Sequence, residues 1–131
     1  MIFQGLIVPT LRSVILDSKV TLCRQGAPLL YAYDAFTFID RLFGVHTLPA
    51  LGPTDALILR PCTAIHTIGS TDTIDVIFLD EKGVILKLDS LKPNKVMLCL
   101  RGKAAVEMAK GTAARLQLAV GQKFVPSDGE W

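Results

Sequence analysis

The side chains that could do chemistry in this sequence are concentrated in residues 60–80, RPCTAIHTIGSTDTIDVIFLD. Cys62 and His66 are four positions apart, a spacing that on a helix would place two ligands of one metal ion on the same face. The β-branched residues between them favour a strand, on which four positions span about 13 Å. Two ligands of one zinc ion lie within about 4 Å of each other, and a Cys–His nucleophile pair needs contact at about 3 Å. The spacing argues against both, and we predict no metal and no cofactor.

His66 and Asp75 flank a predicted turn, GSTD at 69–72, which could bring the strands on its two sides together. The imidazole could then lie near the carboxylate and perform acid or base chemistry, because free imidazole titrates near about pH 6.5. The structural alternative is that Asp75 accepts backbone N–H groups at the turn, while His66 is partly buried with its hydrogen bonds satisfied. The sequence contains no complete catalytic set, so we assign no catalytic residue.

Charged residues embedded among apolar neighbours are the remaining candidates for a binding site. Arg41 and Arg60 could each bind an anionic ligand through two parallel hydrogen bonds. Either could equally neutralise Asp75 or extend its guanidinium to water. Glu107, in the segment AAVEM, is predicted to point to the surface from a strand or to pair with a nearby arginine. The residues that we predict to bind a ligand are Arg41, His66 and Asp75.

Length and composition predict one compact domain. The chain has 131 residues, of which 50% are hydrophobic and 20% are charged, whereas disordered chains combine low hydropathy with high charge. Domains most often have about 100 to 150 residues, and no linker or internal repeat divides this chain. We therefore predict a single domain, 1–131, in which residues 1–34 add strands to the sheet.

The distribution of charged residues and cysteines indicates which classes of partner and which cellular compartment to expect. The net charge is +2, with 14 basic and 12 acidic residues spread along the chain, so no basic face for nucleic acid is predicted. No apolar run approaches the roughly 20 residues that cross a membrane, and the start of the chain does not resemble a secretory leader. Three widely spaced cysteines indicate reduced thiols packed in the core. We expect a cytoplasmic protein without a membrane span.

The elements that must position these residues are mainly short strands. Alternating or fully apolar runs predict strands at 13–23, 29–33, 56–68, 74–79, 84–88, 96–100, 104–108 and 122–125, with hairpin turns at 25–28 and 80–83. Helical spacing predicts one helix at 35–43, capped by Asp34, and a second at 112–118. The predicted fold class is α+β and mostly β: a compact antiparallel β barrel or sandwich with two short helices.

Five short motifs occur in an order typical of one protein family: RLFGV at 41–45, IHTIG at 65–69, IDVIFLD at 74–80, VEMAKGTAARL at 106–116, and a late Gly121. Together they extend over residues 35–124 and resemble the family named domain of unknown function 192. Positions that match the family's motifs are Arg41, Gly44, Val45, His66, Asp75, Phe78, Val106, Glu107, Gly111, Leu116, Leu118 and Gly121. The resemblance implies a compact β-rich domain with small helices. It implies no activity, because the family is functionally uncharacterised.

The chain also departs from the family's pattern. Ser70, Asp72 and Thr73 stand where relatives that share the IHT segment have a methionine and an aromatic residue. If the family has a pocket lined by those side chains, here it would be more polar or lost. Gln117 and Gln122 replace a late glycine and aspartate.

Three hypotheses for function stay open. The first is a non-enzymatic accessory domain that binds a small ligand or a peptide near Arg41, His66 and Asp75. The second is a hydrolase-type enzyme in which His66 and Asp75 form an acid/base pair. The third is a structural or assembly protein that acts through an exposed sheet edge or a homodimer face, for which a hydrophobic content of 50% leaves room.

Overall fold

The computed structural model describes residues 19–34, 51–129 and 131. Within these ranges the elements are β1 (Lys19–Arg24), β2 (Ala27–Asp34), β3 (Asp55–Leu59), β4 (Ala64–His66), β5 (Ile74–Leu79), β6 (Ile85–Leu91), β7 (Val96–Leu98), β8 (Ala104–Ala109), α1 (Thr112–Arg115) and β9 (Val125–Pro126). The predicted helix at 35–43 lies outside the described residues, so only one of the two predicted helices is observed, shortened to four residues.

Seven strands form one sheet in the order β6-β5-β8-β3-β2-β1-β9, and β4 and β7 form a separate two-stranded ribbon. The mostly-β prediction is confirmed. The prediction of a purely antiparallel sheet is wrong, because β2 and β3 are parallel. The barrel is not confirmed either. β9 pairs with β1 over only two residues. Just before β9, Lys123 pairs with Val84, the residue before β6, in one isolated bridge. A single bridge is not a continuous strand pairing, so the sheet is not closed.

Two predicted hairpins are confirmed, each with a turn in the left-handed backbone region. β1 and β2 are joined at Gln25 and Gly26, whose φ angles are 53° and 80°. Positive φ at both central residues is the mark of the tight turn that matches strand twist. β5 and β6 are joined near Gly83, with φ at 85°. An added Cβ at Gly83 would overlap the Phe124 carbonyl oxygen and the Trp131 indole, so this position requires glycine for space as well as for φ.

The predicted long strand at 56–68 is two strands in different sheets. β3 lies inside the main sheet between β2 and β8, and the chain leaves that sheet at Pro61, which has no N–H to donate to a strand neighbour. β4 then pairs with β7, with Ala64 opposite Leu98. The predicted pairing of the strands that flank 69–72 is therefore wrong, since β5 pairs with β6 and β8 instead.

The main sheet is buried on both faces. On the face that we call the helix face, Ile77 and Val106 pack with Ala113 of α1 and with Leu118 and Phe124 after it. On the opposite face, the ribbon face, Val76, Phe78 and Ala105 pack beneath Ile65 and Met97 of the ribbon. β5 and β8 thus lie in the middle layer, and every residue of β5 is buried, as predicted for a central strand.

Candidate functional site

Asp75 is a buried carboxylate that fixes the start of α1. It lies on the helix face of β5 and is 3% exposed. Its Oδ2 accepts hydrogen bonds from the backbone N–H of Gly111 at 3.0 Å and of Ala113 at 2.9 Å, and its Oδ1 accepts from Ser90 Oγ at 2.7 Å. The helix has no capping side chain of its own, because Gly111 occupies its N-cap position. Asp75 supplies the missing acceptor for the first N–H groups of the helix.

His66 is exposed at the end of β4, in the ribbon. Its Nδ1 accepts a hydrogen bond from the backbone N–H of Ile68 at 3.3 Å, so the neutral imidazole carries its proton on Nε2. No hydrogen bond joins His66 to Asp75, because Asp75 lies on the helix face, where it binds Ser90 and the start of α1, whereas His66 lies in the ribbon on the opposite face. The two residues are not brought together as a hydrogen-bonded pair.

Only one of the two arginines identified as candidates in the sequence lies in the part of the chain that the structure describes. Arg41 lies outside the described residues. Arg60 is buried, at 7% exposure, and forms an ion pair with Asp128. Asp128 is the carboxylate that pairs with Arg60, so neutralisation of Asp75, one of the alternatives left open for this arginine, is not observed.

Glu107 is buried, and the prediction that it points to the surface is wrong. It is 4% exposed on the ribbon face of β8, between Leu57 of β3 and Val76 of β5. Within the described residues its Oε2 has no hydrogen-bond partner. Desolvation raises the pKa of this carboxyl from 4.5 to about 7. The signal was present in AAVEMA, because a strand without polar alternation is typical of a strand covered on both faces, and its one acidic residue is then covered too.

The outward side of the ribbon is an apolar surface, which we call the outer patch. The run at 96–100 was predicted as a buried strand, but in β7 only Met97 is buried. Its neighbours Val96 and Leu98 are 57% and 54% exposed. Ile68 and Leu100 lie in the turns just beyond the two ends of the ribbon and are 59% and 85% exposed. The residues of the outer patch are His66, Ile68, Val96, Leu98 and Leu100.

The stretch that carries β7 is rich in positive charge. Residues 87–103 contain Lys87, Lys92, Lys95, Arg101 and Lys103, and all five are exposed. The single acidic residue in that stretch is Asp89. Lys87 is anchored at the edge of the ribbon, where its Nζ donates to the Leu98 carbonyl at 2.8 Å. We call these five basic residues the cationic rim.

Other classes of site receive no support from the part of the chain that the structure describes. None of the three cysteines, which all lie in the described ranges, forms a disulfide. No group of three or more His, Cys, Asp or Glu side chains in the described ranges is arranged to hold a metal ion. No helix among those residues has the length and apolar character needed to cross a membrane.

Comparison with family models confirms the family resemblance seen in the sequence. The model of the family DUF192, described as Uncharacterized ACR, matches residues 23–125. The chain belongs to this family. The DUF192 match extends across the helix-capping Asp75, the buried Glu107 and the ribbon, so these features lie within the family's shared region. Comparison with curated proteins gives no match.

Two solved structures are similar to this DUF192 chain in fold. One is a protein of unknown function from Novosphingobium aromaticivorans, with a TM-score of 0.69 and 19% identity over 81% of this chain and 82% of that one. The other, from Sinorhizobium meliloti, is described as a candidate transcription regulator, with a TM-score of 0.71 and 16% identity over 83% of this chain and 92% of that one. At these identities the likeness concerns the fold alone.

Proposed function

We propose that this DUF192 protein is a non-enzymatic binding domain whose outer patch receives an acidic, partly apolar peptide segment of a partner protein. The observation that carries the proposal is the outer patch itself. Val96 and Leu98 are more than half exposed on the outward side of β7, and Ile68 and Leu100 are more than half exposed in the turns at the ends of the ribbon. A cluster of exposed large apolar residues is typical of interaction sites.

The chemistry of the surroundings favours an acidic partner. Five exposed basic residues and one acidic residue lie in the stretch that carries β7. Complementary charge steers association and selects between partners. An extended segment that alternates aliphatic and acidic residues would place its apolar side chains on Val96 and Leu98 and its carboxylates near the lysines. His66 would contribute its Nε2–H as a donor.

A second copy of the chain fits this surface less well. If two identical outer patches met, the cationic rims would meet as well, and like charges in contact oppose association. The homodimer hypothesis is therefore the alternative that the experiment must separate from binding to an acidic peptide.

The hydrolase hypothesis has less support than the binding hypothesis. A general base needs a free lone pair within about 3.2 Å of the group it deprotonates, or one water away. Both oxygens of Asp75 accept hydrogen bonds within the fold, and the imidazole of His66 has no carboxylate partner among the described residues. An accessory binding role requires neither.

Fluorescence anisotropy with labelled ten-residue peptides tests the proposal. One peptide alternates leucine with glutamate, and its control alternates leucine with lysine. We expect saturable binding of the acidic peptide that weakens as salt is added, because exposed charges are screened. Val96→Ser should weaken it about fivefold or more, since it removes an apolar contact.

Val120→Ser is the matched control, because Val120 is also a valine exposed to a similar degree, 63% against 57%, and lies outside the outer patch. It should leave the affinity unchanged. Equal binding of both peptides, or equal affinity in both variants, would refute the proposal. Light scattering completes the test: a dimer that Val96→Ser dissociates would show that the outer patch serves self-association instead.

A further inference from the structure

We propose a second ligand site in this protein, an oxyanion-binding groove that contains Arg24 and Lys123. The groove has a volume of about 700 Å³ and lies between the β1–β2 turn and the segment 117–125. It shares no residue with the outer patch, so it is independent of the function proposed above. Its volume is within the range of about 300 to 1,000 Å³ that is usual for small-molecule sites.

Arg24 is held in a fixed orientation at this groove. Its Nη1 donates to the Leu116 carbonyl at 2.8 Å and to Gln122 Oε1 at 3.1 Å. Gln122 is itself fixed, because its Nε2 donates to the Gln117 carbonyl at 3.0 Å. An arginine that is already immobilised loses little side-chain entropy when it binds a ligand. The groove therefore has a preorganised cation.

The donors that Arg24 keeps available form the edge that oxyanions bind. Within the described part of the chain, the protein uses only its Nη1. The Nε–H and Nη2–H bonds are parallel and form the side edge of the guanidinium, which matches two oxygens of a carboxylate or a phosphate. Among the described residues this arginine is held by neutral oxygens alone, and no carboxylate of that part of the chain pairs with its charge.

The other residues that line the groove also favour an anionic ligand. Lys123 is an exposed second cation, and Gln25 and Gln117 supply neutral amide groups. Among the described residues that line the groove, none is acidic. Two cations in a concave surface without a counter-charge raise the local concentration of anions. The ligand class that fits is a small, hydrophilic molecule with a carboxylate or a phosphate group.

The test measures binding of inorganic phosphate and of citrate by NMR shifts of backbone amides, at constant ionic strength. We expect saturable shifts at the β1–β2 turn and at residues 117–125. Arg24→Lys retains the charge but lacks the fork, and it should weaken binding about tenfold. Lys123→Gln should weaken binding about threefold, as loss of a nearby charge does. The matched control is Lys82→Gln, an exposed lysine in the β5–β6 turn outside the groove, which should change nothing.

The two probes distinguish the sources of the oxyanion. Tighter binding of phosphate supports a phosphorylated ligand, and tighter binding of citrate supports a carboxylate ligand. Shifts that do not saturate, or that are equal in Lys123→Gln and Lys82→Gln, would overturn the site. The Lys123 comparison also decides the matter if Arg24→Lys loses the native fold, because Lys123 makes no hydrogen bond among the described residues and its replacement spares the Arg24 network.

Discussion

Replacement of Glu107 by glutamine should remove a large pH dependence from the stability of this protein. The carboxyl has a pKa of about 7 when folded, against 4.5 when free, because burial between Leu57 and Val76 disfavours its charged form. Between those two pH values the unfolded chain is ionised at Glu107 while the folded chain keeps the proton. Folding therefore takes up a proton, and the free energy of unfolding falls as the pH rises through this window.

The magnitude follows from the separation of the two pKa values. Each tenfold change in proton affinity corresponds to about 1.4 kcal/mol. A pKa that rises from 4.5 to about 7 therefore lowers the free energy of unfolding by roughly 3 kcal/mol once the pH exceeds the folded value. Stability attributed to the neutral carboxyl is fully present below pH 4.5 and is lost by about pH 7.

Urea unfolding of the wild type and of Glu107→Gln, at pH 4.5 and near pH 8, measures this difference. The amide has nearly the same shape and does not titrate, so the variant should gain about 3 kcal/mol relative to the wild type between the two pH values. Glu81→Gln, at an exposed glutamate in the β5–β6 turn, is the control and should follow the wild type. If Glu107→Gln and the wild type lose the same stability over this range, the carboxyl is not protonated in the folded state, and the reasoning fails.

Two further predictions concern stability. Asp75→Asn should lower the free energy of unfolding by about 2 kcal/mol or more, because the amide keeps only one of the two oxygens that together accept three hydrogen bonds. His66→Gln, at an exposed position, should change it by less than about 0.5 kcal/mol in the same urea titration. Equal losses would contradict the assigned roles. Gly83→Ala should lower the free energy of unfolding by more than about 2 kcal/mol, because the added Cβ would overlap Phe124 and Trp131. Gly26→Ala, which has open space at a similar φ, should lower it by about 1 kcal/mol, and thermal unfolding measures both.

The local features of this fold were predictable from the sequence, because they depend on a few neighbouring residues. Glycine at 26 and at 83 supplies the positive φ of two hairpin turns, and both hairpins form where the sequence indicates them. The run of β5, apolar except for Asp75, correctly indicated a central strand. The family motifs also led to the correct family. Each turn, each strand pattern and each single family motif lies within about ten residues of the chain.

The pairing of distant strands was not predictable in this way. A turn at 69–72 is compatible with a β4–β5 hairpin, and nothing local excludes it. β4 instead pairs with β7, about thirty positions further along the chain, and the Thr67 N–H donates to the Lys95 carbonyl at 2.9 Å beyond the last paired residues. Pro61 lies two residues after the end of β3 and has no N–H to donate to a strand neighbour, which favours the end of that strand before the chain crosses to the ribbon face.

The sequence did not predict the outer patch or the burial of Glu107, because it does not show how the strands are stacked in layers. A strand pattern states which residues alternate, but it does not state how many layers cover the strand. β8 lies between two cores, so Glu107 is buried although acidic residues are rarely found inside proteins. β7 lies in the outermost layer, and its three residues bury Met97 alone, so Val96 and Leu98 face outward although valine and leucine are usually core residues. The buried acid and the exposed aliphatic residues thus have one cause, the position of each strand in the stack, and both are features that a stable fold does not require. For that reason we look for function at the outer patch. The pH dependence of stability at Glu107 tests whether water is excluded from the middle layer, as the apolar neighbours of this residue indicate.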